Sequence, residues 1–289
     1  MRIQFLGTAA AEGAPAIFCT CDHCAYARKV GGREIRTRSG SLIDGVLKID
    51  FGPDSYKHAL DNGIDYTYMK SILITHSHSD HCCADDIGYR RKGFACLKDD
   101  VPMLTVYGNG TVGTMMAPYL NDNTNFKQLH VFETTEIEGY KVTPLEAVHC
   151  RTNPKLGMYP VKYREETVVR SEEAFFYLIE KDGESILYAH DTDEFTPADM
   201  EFLKDRHIDL ITLDCTNAVL EKNYIGHMGI TENLRMREKL LAISAADEHT
   251  LFVANHFSHN GLVAHEELER RLPGFAVSYD GLELETPKK

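Results

Sequence analysis

Apolar, β-branched and aromatic residues recur along most of the chain in short runs bounded by Gly, Asp or Asn, a pattern typical of β-strands. The predicted strands are Arg2–Leu6, Ser41–Phe51, Ser71–Thr75, Met103–Tyr107, Gln128–Phe132, Tyr140–Glu146, Ala174–Glu180, Ser185–Ala189, Leu210–Leu213 and Thr250–Ala254. Helical periodicity falls between some of these runs. The predicted helices are Asp54–Asn62, Thr196–Asp205, Ile230–Ala246 and Val263–Leu272. Thr231 is the expected N-cap of the third helix.

Long successions of strands with helices between them indicate two sheets with helices outside, an α/β fold of four layers. The sequence contains no internal repeat, coiled-coil heptad or low-complexity linker. We therefore expect one domain over residues 1–289. The stretch 151–170, "RTNPKLGMYPVKYREETVVR", is the most loop-like part and is interpreted as an insertion that can reshape a substrate pocket.

The composition is that of a folded protein, because 43% of the 289 residues are hydrophobic and 26% are charged. The formal net charge of −13 argues against binding of polymeric nucleic acid, since no broad basic surface offsets it. A small anionic substrate is compatible with this charge if metal cations supply positive charge locally.

Neither a secretory signal nor a membrane span is expected. The segment "MRIQFLGTAAAEGAP" indicates a strand and a Gly/Ala/Pro turn, without a charged region leading into a long apolar one. No apolar run approaches the length that a bilayer requires. Eight cysteines without a signal favour reduced thiols and metal ligation over disulfides, so we expect a cytoplasmic protein.

The segment "ILITHSHSDH" carries His76, His78, Asp80 and His81 directly after an apolar strand. A strand end followed by a tight turn can bring alternating side chains together at one point. Imidazole nitrogen and carboxylate oxygen suit zinc, manganese or iron. The alternative interpretation is a His-rich surface turn.

Three further potential ligands, His149, Asp191 and His256, lie at or just beyond predicted strand ends. A single histidine of this kind is more often a core residue than a ligand, but the succession of four such elements favours a metal centre. Seven ligands suit two adjacent metals, with Asp191 as the carboxylate shared between them.

A second potential metal site lies in "FCTCDHC", where Cys19, Cys21 and Cys24 supply three thiols from one loop. A closed structural zinc site needs four ligands, and the candidate for the fourth is His259 in "NHFSHNG". A redox pair or unliganded core cysteines are the alternatives.

The order of these motifs, HxHxDH followed by His, Asp and His, resembles that of the metallo-β-lactamase superfamily over essentially the whole chain. The resemblance implies an αββα sandwich with two divalent metals (zinc, manganese or iron) at one edge of the paired sheets. The implied ligands are His76, His78 and His149 for one metal, Asp80, His81 and His256 for the other, and Asp191 between them.

The cysteine loop indicates a particular group of proteins within this superfamily. Together with "RTRSGSLI", "KIDFGPD", "LDCTN", "GHMGITENL" and "SYDGLELE", the segment "FLGTAAAEGAPAIFCTCDHCAYAR" is similar to PhnP-type cyclic-phosphate phosphodiesterases, which are associated with the carbon–phosphorus lyase pathway. This implies a structural zinc held by the cysteines and a distant histidine, and a five-membered cyclic ribose phosphate as substrate. It also implies that His227 contacts the phosphate or helps the leaving group depart.

On this basis we expect hydrolysis of a small cyclic phosphate diester, either ribose 1,2-cyclic phosphate or a 2′,3′-cyclic nucleotide, by a water that the metals activate. The expected catalytic residues are Asp80 and His227, while Asp50 orients ligand histidines. For His227 the alternative is a surface residue at a helix start.

Two other functions are carried as alternatives. One keeps the fold and metals but hydrolyses a thioester, a lactone or an RNA 3′ end, the last weakened by the net charge. The other is a non-hydrolytic accessory role, like that of pyrroloquinoline-quinone pathway proteins with a similar cysteine loop. A homodimer is compatible with the resemblance. Cys82, Cys83 and Cys150 beside the ligand motifs are interpreted as packed, inert thiols, and the alternative is an effect on metal preference or oxidation sensitivity.

Overall fold

Two seven-stranded mixed β-sheets face each other at the centre of the fold. The computed structural model describes residues 1–149, 159–163, 166–220, 225–261 and 263–287. The strands are β1 (Arg2–Gly7), β2 (Gly40–Ile43), β3 (Leu47–Ile49), β4 (Ser71–Leu73), β5 (Leu104–Gly108), β6 (Thr124–Gln128), β7 (Thr135–Ile137), β8 (Tyr140–Glu146), β9 (Tyr159–Tyr163), β10 (Glu166–Arg170), β11 (Phe175–Lys181), β12 (Glu184–Ala189), β13 (Leu210–Asp214), β14 (Leu251–Asn255), β15 (Phe275–Val277) and β16 (Glu283–Glu285). The helices are α1 (Asp22–Val30), α2 (Ser55–Asn62), α3 (Ala84–Gly88), α4 (Gly110–Met116), α5 (Pro197–Leu203), α6 (Ile230–Ala242) and α7 (His265–Arg271).

Each sheet joins an antiparallel half to a parallel half. The first sheet has the order β16-β1-β2-β3-β4-β5-β6, antiparallel from β16 to β3 and parallel from β3 to β6. The second has the order β15-β14-β13-β12-β11-β8-β7, parallel from β15 to β12 and antiparallel beyond. Because parallel strands end at the same edge, the carboxyl ends of β12, β13 and β14 lie side by side.

Alternation of side chains along the central strands produces four layers. In β11, Phe175, Tyr177 and Ile179 point into the cluster between the sheets, whereas Phe176 and Leu178 join the cluster on the outer face. Helices α5 and α6 cover that outer face, and α3 and α4 cover the outer face of the first sheet. Both faces of the sheets are therefore buried, which explains why the strands read as continuous apolar runs. The predicted αββα sandwich is confirmed.

Two of the predicted strands are wrong. Ser41–Phe51 contains the hairpin of β2 and β3, because Asp44 and Gly45 have positive φ angles of 49° and 72° and reverse the chain. The Asp-Gly pair between apolar runs was the available signal for this turn. The prediction Gln128–Phe132 overlaps β6 only at its first residue, since β6 ends at Gln128.

Helix boundaries also differ from the prediction. The predicted N-cap Thr231 is wrong, because α6 begins at Ile230 after Gly229 and Thr231 lies inside it. The helix ends at Ala242 instead of Ala246, and Ser244 then turns the chain with a φ of 55°. Helices α1, α3 and α4 are absent from the helices predicted by periodicity.

Two sequence expectations can be compared with the structure over the described residues. Part of the predicted insertion 151–170 lies outside them, and its described parts, β9 and β10, pair antiparallel with Tyr163 opposite Glu166. Among the helices that the structure describes, none has the length and apolarity needed to cross a bilayer.

Each predicted ligand at the proposed dimetal site follows the carboxyl end of a strand. The segment His76–His81 follows β4, His149 follows β8, Asp191 follows β12 and His256 follows β14. Asp191 and His256 have positive φ angles of 49° and 62°, and Asp50, which follows β3, has one of 56°. Such angles are uncommon for residues other than Gly and persist only where surrounding contacts hold them. The chain thus turns sharply at the edge where these side chains meet.

The outer core of the second sheet gives a test of the fold. Phe176 is fully buried and stacks on Phe195 with ring centroids 4.6 Å apart. We expect Phe176→Ala to lower the free energy of unfolding by about 3–5 kcal/mol, because it removes the ring and leaves a cavity. The matched control is Phe18→Ala, whose side chain is 97% exposed and whose removal should cost less than about 0.5 kcal/mol. Urea denaturation followed by circular dichroism measures both, and equal effects would contradict the layer assignment.

Candidate metal centre

The loop after β4 is held against the end of β3. The Phe51 N–H donates to the His81 carbonyl at 2.8 Å, and the Cys83 N–H donates to the Phe51 carbonyl at 2.7 Å. At Gly52, a Cβ would lie 1.9 Å from the carbonyl oxygen of Asp80, so any side chain there would push the loop away. The segment "KIDFGPD" is therefore the base on which the HxHxDH loop rests.

Three histidines form the first cluster of ligand atoms. His76 Nε2 lies 3.0 Å from His78 Nδ1, and His149 Nε2 lies 3.3 Å from the same atom. His76 and His149 are buried and His78 is exposed, so the cluster opens to solvent on one side. Three imidazole nitrogens so arranged can hold a divalent metal and leave a coordination position open.

A second cluster adjoins the first through Asp191. His81 Nε2 lies 3.1 Å from Asp80 Oδ2 and 3.0 Å from Asp191 Oδ2. His256 Nε2 lies 2.9 Å from Asp191 Oδ2. The other oxygen, Asp191 Oδ1, is 3.5 Å from His149 Nε2 in the first cluster. The carboxylate of Asp191 therefore faces both clusters, one oxygen to each.

Hydrogen bonds behind the clusters select the histidine tautomers in the first sheet. Asp50 Oδ2 accepts from His81 Nδ1 at 2.7 Å, and Asp50 Oδ1 accepts the Thr75 hydroxyl at 2.9 Å. Since the Thr75 hydroxyl proton is used in this way, its oxygen accepts from His76 Nδ1 at 3.0 Å. Both rings thus carry a proton on Nδ1 and direct the Nε2 lone pair towards the clusters.

The same arrangement holds for the two histidines of the second sheet. His149 Nδ1 donates to the Gly226 carbonyl at 3.2 Å. Thr216 Oγ1 donates to the His256 carbonyl at 2.9 Å, so it accepts from His256 Nδ1 at 2.8 Å. Four Nε2 lone pairs therefore converge from two sheets, as metal ligation requires.

Unpaired buried atoms show that the second cluster fits a cation. Over the described residues, His81 Nε2, Asp191 Oδ2 and His256 Nε2 are buried and lack a well-aligned hydrogen bond, although the two nitrogens lie 3.0 and 2.9 Å from Asp191 Oδ2. Buried polar atoms without partners are costly, so atoms that converge without pairing indicate a site for a bound ion. The imidazole and carboxylate donor set suits a first-row divalent metal.

The charges at the centre demand a compensating positive charge. Burial acts to lower the pKa of His256, but Asp191 and Asp214 outweigh it and raise the pKa to about 10. Burial acts to raise the pKa of Asp80, but His81 lowers it to about 2. The carboxylates thus stay ionised and favour protonation of His81 and His256, and a divalent cation can take the place of those protons.

Asp214 and His227 extend the centre beyond the residues predicted as ligands. His227 Nδ1 donates to Asp214 Oδ2 at 2.9 Å, and the backbone N–H groups of Asp191 and Thr216 donate to Asp214 at 3.1 and 2.9 Å. Burial acts to lower the pKa of His227, yet the charge and hydrogen bond of Asp214 raise it above its ordinary value. Sequence reasoning missed Asp214, although "LITLD" ends a strand on a carboxylate as "SILYAHD" does.

The cysteine loop forms a further cluster. The ligand atoms of Cys19, Cys21, Cys24 and His259 lie within 4.8 Å of one another. Cys21 is the N-cap of α1, and its Sγ accepts the Cys24 N–H at 3.4 Å and lies 3.7 Å from His259 Nδ1. The Cys24 N–H and then the His259 side chain lower the pKa of the Cys21 thiol to about 6. Three thiols and one imidazole fit the donor set of a closed zinc site.

Of the two cysteines directly after the ligand motif, Cys82 faces the core and Cys83 is half-buried. Cys82 is buried in the apolar cluster under α3 and α4, and burial raises the pKa of its thiol to about 12. Burial also raises the pKa of the half-buried Cys83. Both shifts keep these thiols protonated and poorly reactive. Cys150 lies outside the described residues.

An open cavity of about 540 Å³ lies over the two histidine clusters. Asp80, His149, Asp191 and His227 line its floor, and Glu12 lines it from the turn after β1. The cavity brings the predicted catalytic residues Asp80 and His227 to one surface. A small molecule entering it would meet the potential metal ligands and His227 together.

Several solved structures share this fold. A diphosphatase from the PhnP family has a TM-score of 0.70 and 25% sequence identity, covering 98% of this chain and 97% of that one. Zn²⁺-bound PqqB from Methylobacterium extorquens has a TM-score of 0.73 and 18% identity, covering 99% and 100%. Human tRNase Z, short form, has a TM-score of 0.61 and 14% identity, covering 100% of both chains. The last two likenesses show the fold alone. No curated protein sequence matches the chain.

A family model extends the comparison to sequence. The model of the beta-lactamase superfamily domain matches residues 47–257, more than half of the chain. The matched region begins with β3, just before Asp50, and ends just after His256, so it contains both histidine clusters. We conclude that the chain belongs to the metallo-β-lactamase superfamily and has PhnP-like relatives.

Proposed function

We propose that the protein is a metal-dependent phosphodiesterase that hydrolyses a small cyclic phosphate diester, of the ribose 1,2-cyclic phosphate or 2′,3′-cyclic nucleotide type. Membership of the superfamily supports a hydrolase. One observation carries the narrower proposal: His227, hydrogen-bonded to Asp214, lies beside the Asp191 carboxylate that faces both histidine clusters. This gives the cavity an acid–base group next to potential metal ligands, which phosphodiester hydrolysis requires.

The proposed ligands follow the clusters. One metal would be held by His76, His78 and His149 and the other by Asp80, His81 and His256, while the Asp191 carboxylate faces both groups of ligands. When bound, two divalent metals (zinc, manganese or iron) lower the pKa of water and neutralise the phosphate oxygens. Asp50 orients His81 directly and His76 through Thr75.

In the proposed reaction, water attacks phosphorus and one P–O bond of the cyclic ester breaks. Asp80, an ionised carboxylate at the cavity surface, orients the attacking water, whose proton passes to solvent through the open cavity. His227 donates through Nε2 to the departing alkoxide, since its Nδ1–H is bonded to Asp214. The products balance as one phosphomonoester carrying a newly freed hydroxyl.

We also propose a structural zinc held by Cys19, Cys21, Cys24 and His259. The thiol cluster suits zinc because thiolates are soft ligands and the four donors leave no open coordination position. The histidine and carboxylate clusters, by contrast, adjoin a cavity, so a metal there remains accessible to substrate and to chelators.

The phosphorus ester is favoured over the other candidate bonds. The diphosphatase of the PhnP family is 25% identical to this chain, and its name indicates a reaction at phosphorus. An RNA 3′ end is disfavoured by the net charge of −13. An accessory role without hydrolysis leaves the paired clusters and the His227–Asp214 contact unexplained.

A substrate panel tests this function. We expect metal-loaded protein to hydrolyse ribose 1,2-cyclic phosphate or a 2′,3′-cyclic nucleotide, and bis(p-nitrophenyl) phosphate more slowly, because the centre is complementary to a phosphoryl transition state. A thioester and a lactone serve as carbon-centred controls. Turnover of the carbon esters alone would overturn the phosphodiesterase, and no turnover at all would favour the accessory role. Product release is measured by ³¹P NMR and absorbance.

The role of His227 can be separated from a structural one by the leaving group. We expect His227→Ala to lower kcat for ribose 1,2-cyclic phosphate by about 10²–10⁴-fold, because the alkoxide then departs without a proton donor. For bis(p-nitrophenyl) phosphate the loss should be far smaller, since nitrophenolate leaves without protonation. His249→Ala, at a side chain 81% exposed, is the control and should change neither rate. Equal losses on both substrates would exclude the proton donor role.

Metal removal distinguishes the two kinds of site. A mild chelator should abolish hydrolysis while leaving about one zinc per chain, because the thiolate cluster binds zinc more tightly than the cavity ligands do. Cys21→Ser should remove that zinc and lower the melting temperature. Metal analysis by mass spectrometry and thermal denaturation report both effects. If Cys21→Ser abolished activity with zinc content and melting temperature unchanged, the structural zinc would be wrong.

A further inference from the structure

Glu12 lies on a turn after β1 that neighbouring segments hold firmly. The Ala10 N–H donates to the Phe257 carbonyl at 3.0 Å, and Arg38 Nε donates to the Ala11 carbonyl at 2.8 Å. On the far side of the turn, Ala14 and Arg36 exchange backbone hydrogen bonds of 2.9 and 2.7 Å. The backbone position of Glu12 is therefore fixed before any substrate binds.

One oxygen of the Glu12 carboxylate faces the segment after β14. Glu12 Oε1 accepts from the Ser258 hydroxyl and from Asn260 Nδ2 at 3.5 Å, and lies 3.6 Å from His259 Nε2. His259 in turn faces Cys21 Sγ through Nδ1 at 3.7 Å. The carboxylate is thus aligned by the same histidine that faces the cysteine cluster, an arrangement that fixes ring orientation in metal sites.

The other oxygen, Glu12 Oε2, makes no hydrogen bond to any residue that the structure describes. The side chain lines the cavity over the histidine clusters and is about one-third exposed. A carboxylate oxygen accepts hydrogen bonds only, so its natural partner in a ligand is a hydroxyl or an N–H group.

The rest of the cavity wall favours a hydroxyl as that partner. The Ser258 hydroxyl, whose proton is donated to Glu12, and the side-chain amides of Asn260 and Asn217 add neutral polar groups to the wall, which suits a sugar hydroxyl. Among the described residues that line the cavity there is no Phe or Tyr, so this part of the wall offers neither ring to a base or a quaternary ammonium.

We infer that Glu12 is a specificity-determining residue, which accepts a hydrogen bond from a hydroxyl of the organic part of the substrate while the chemistry proceeds at the metal ligands. The inference rests on the proposed phosphodiesterase function and adds a residue that separates hydroxylated esters from hydroxyl-free ones. A site built to hydrogen-bond a hydroxyl discriminates against ligands that lack it, and weakening its acceptor lowers the affinity for ligands that carry the hydroxyl more than for those that do not.

Glu12→Gln is the variant that tests this role, because it keeps an acceptor oxygen for Ser258 and removes the charge. We expect KM for ribose 1,2-cyclic phosphate to rise at least tenfold with kcat within about threefold, as the loss of a charge-assisted hydrogen bond predicts. KM for bis(p-nitrophenyl) phosphate, which carries no hydroxyl, should not rise. Glu248→Gln, at a side chain 84% exposed, is the matched control and should change neither constant.

Zinc content and melting temperature of Glu12→Gln are measured alongside the kinetics. Equal rises in KM for both substrates, or no rise for either, would overturn the role of Glu12 while leaving the phosphodiesterase intact. A selective rise accompanied by loss of zinc would also overturn it, because the cysteine cluster and not the carboxylate contact would then be the cause. If the unsubstituted protein hydrolysed no phosphodiester, the proposed function would fail and this inference with it.

Discussion

The carboxylate of Asp50 is the contact on which both histidine clusters depend. One oxygen fixes His81, and the other fixes Thr75, whose hydroxyl fixes His76, so a single buried group sets the tautomer of a histidine in each cluster. Its backbone is held as well, since the buried ammonium of Lys48 donates to the Asp50 and Ile49 carbonyls. Each of these hydrogen bonds is costly to lose, because the groups are buried and no water can replace a lost partner. The orientation of these histidines is therefore set by buried residues beneath the site.

Asp214 is the counterpart in the second sheet. It accepts backbone N–H groups from the loops that carry Asp191 and Thr216, and it holds His227 at the cavity. Each sheet thus ends in a fully buried carboxylate that faces histidines of the centre. These buried negative charges require positive charge beside them, whether protons or divalent cations supply it. An acidic protein can accordingly present a positive surface to an anion at this one edge.

The places of the proposed ligands at strand ends could be predicted because each lies close in sequence to the apolar run that positions it, as His149 does after β8. The Glu12 contact could not, since it joins residues 246 positions apart and depends on how the turn after β1 packs on the segment after β14. The contact between Asp214 and His227 could not be predicted either, because only folding brings these two side chains together. The single strand predicted for Ser41–Phe51 was wrong for a local reason, because the continuous apolar pattern was given more weight than the Asp-Gly turn within it.

The segment from His256 to His259 joins the histidine clusters to the cysteine cluster through only two intervening residues. Its backbone is pinned between them, since the Phe257 N–H donates to Thr8 at 2.8 Å and the Ser258 N–H to Thr216 at 3.3 Å. The two histidines therefore share one short, hydrogen-bonded length of backbone, so a substitution that shifts this segment is expected to disturb both proposed metal sites together.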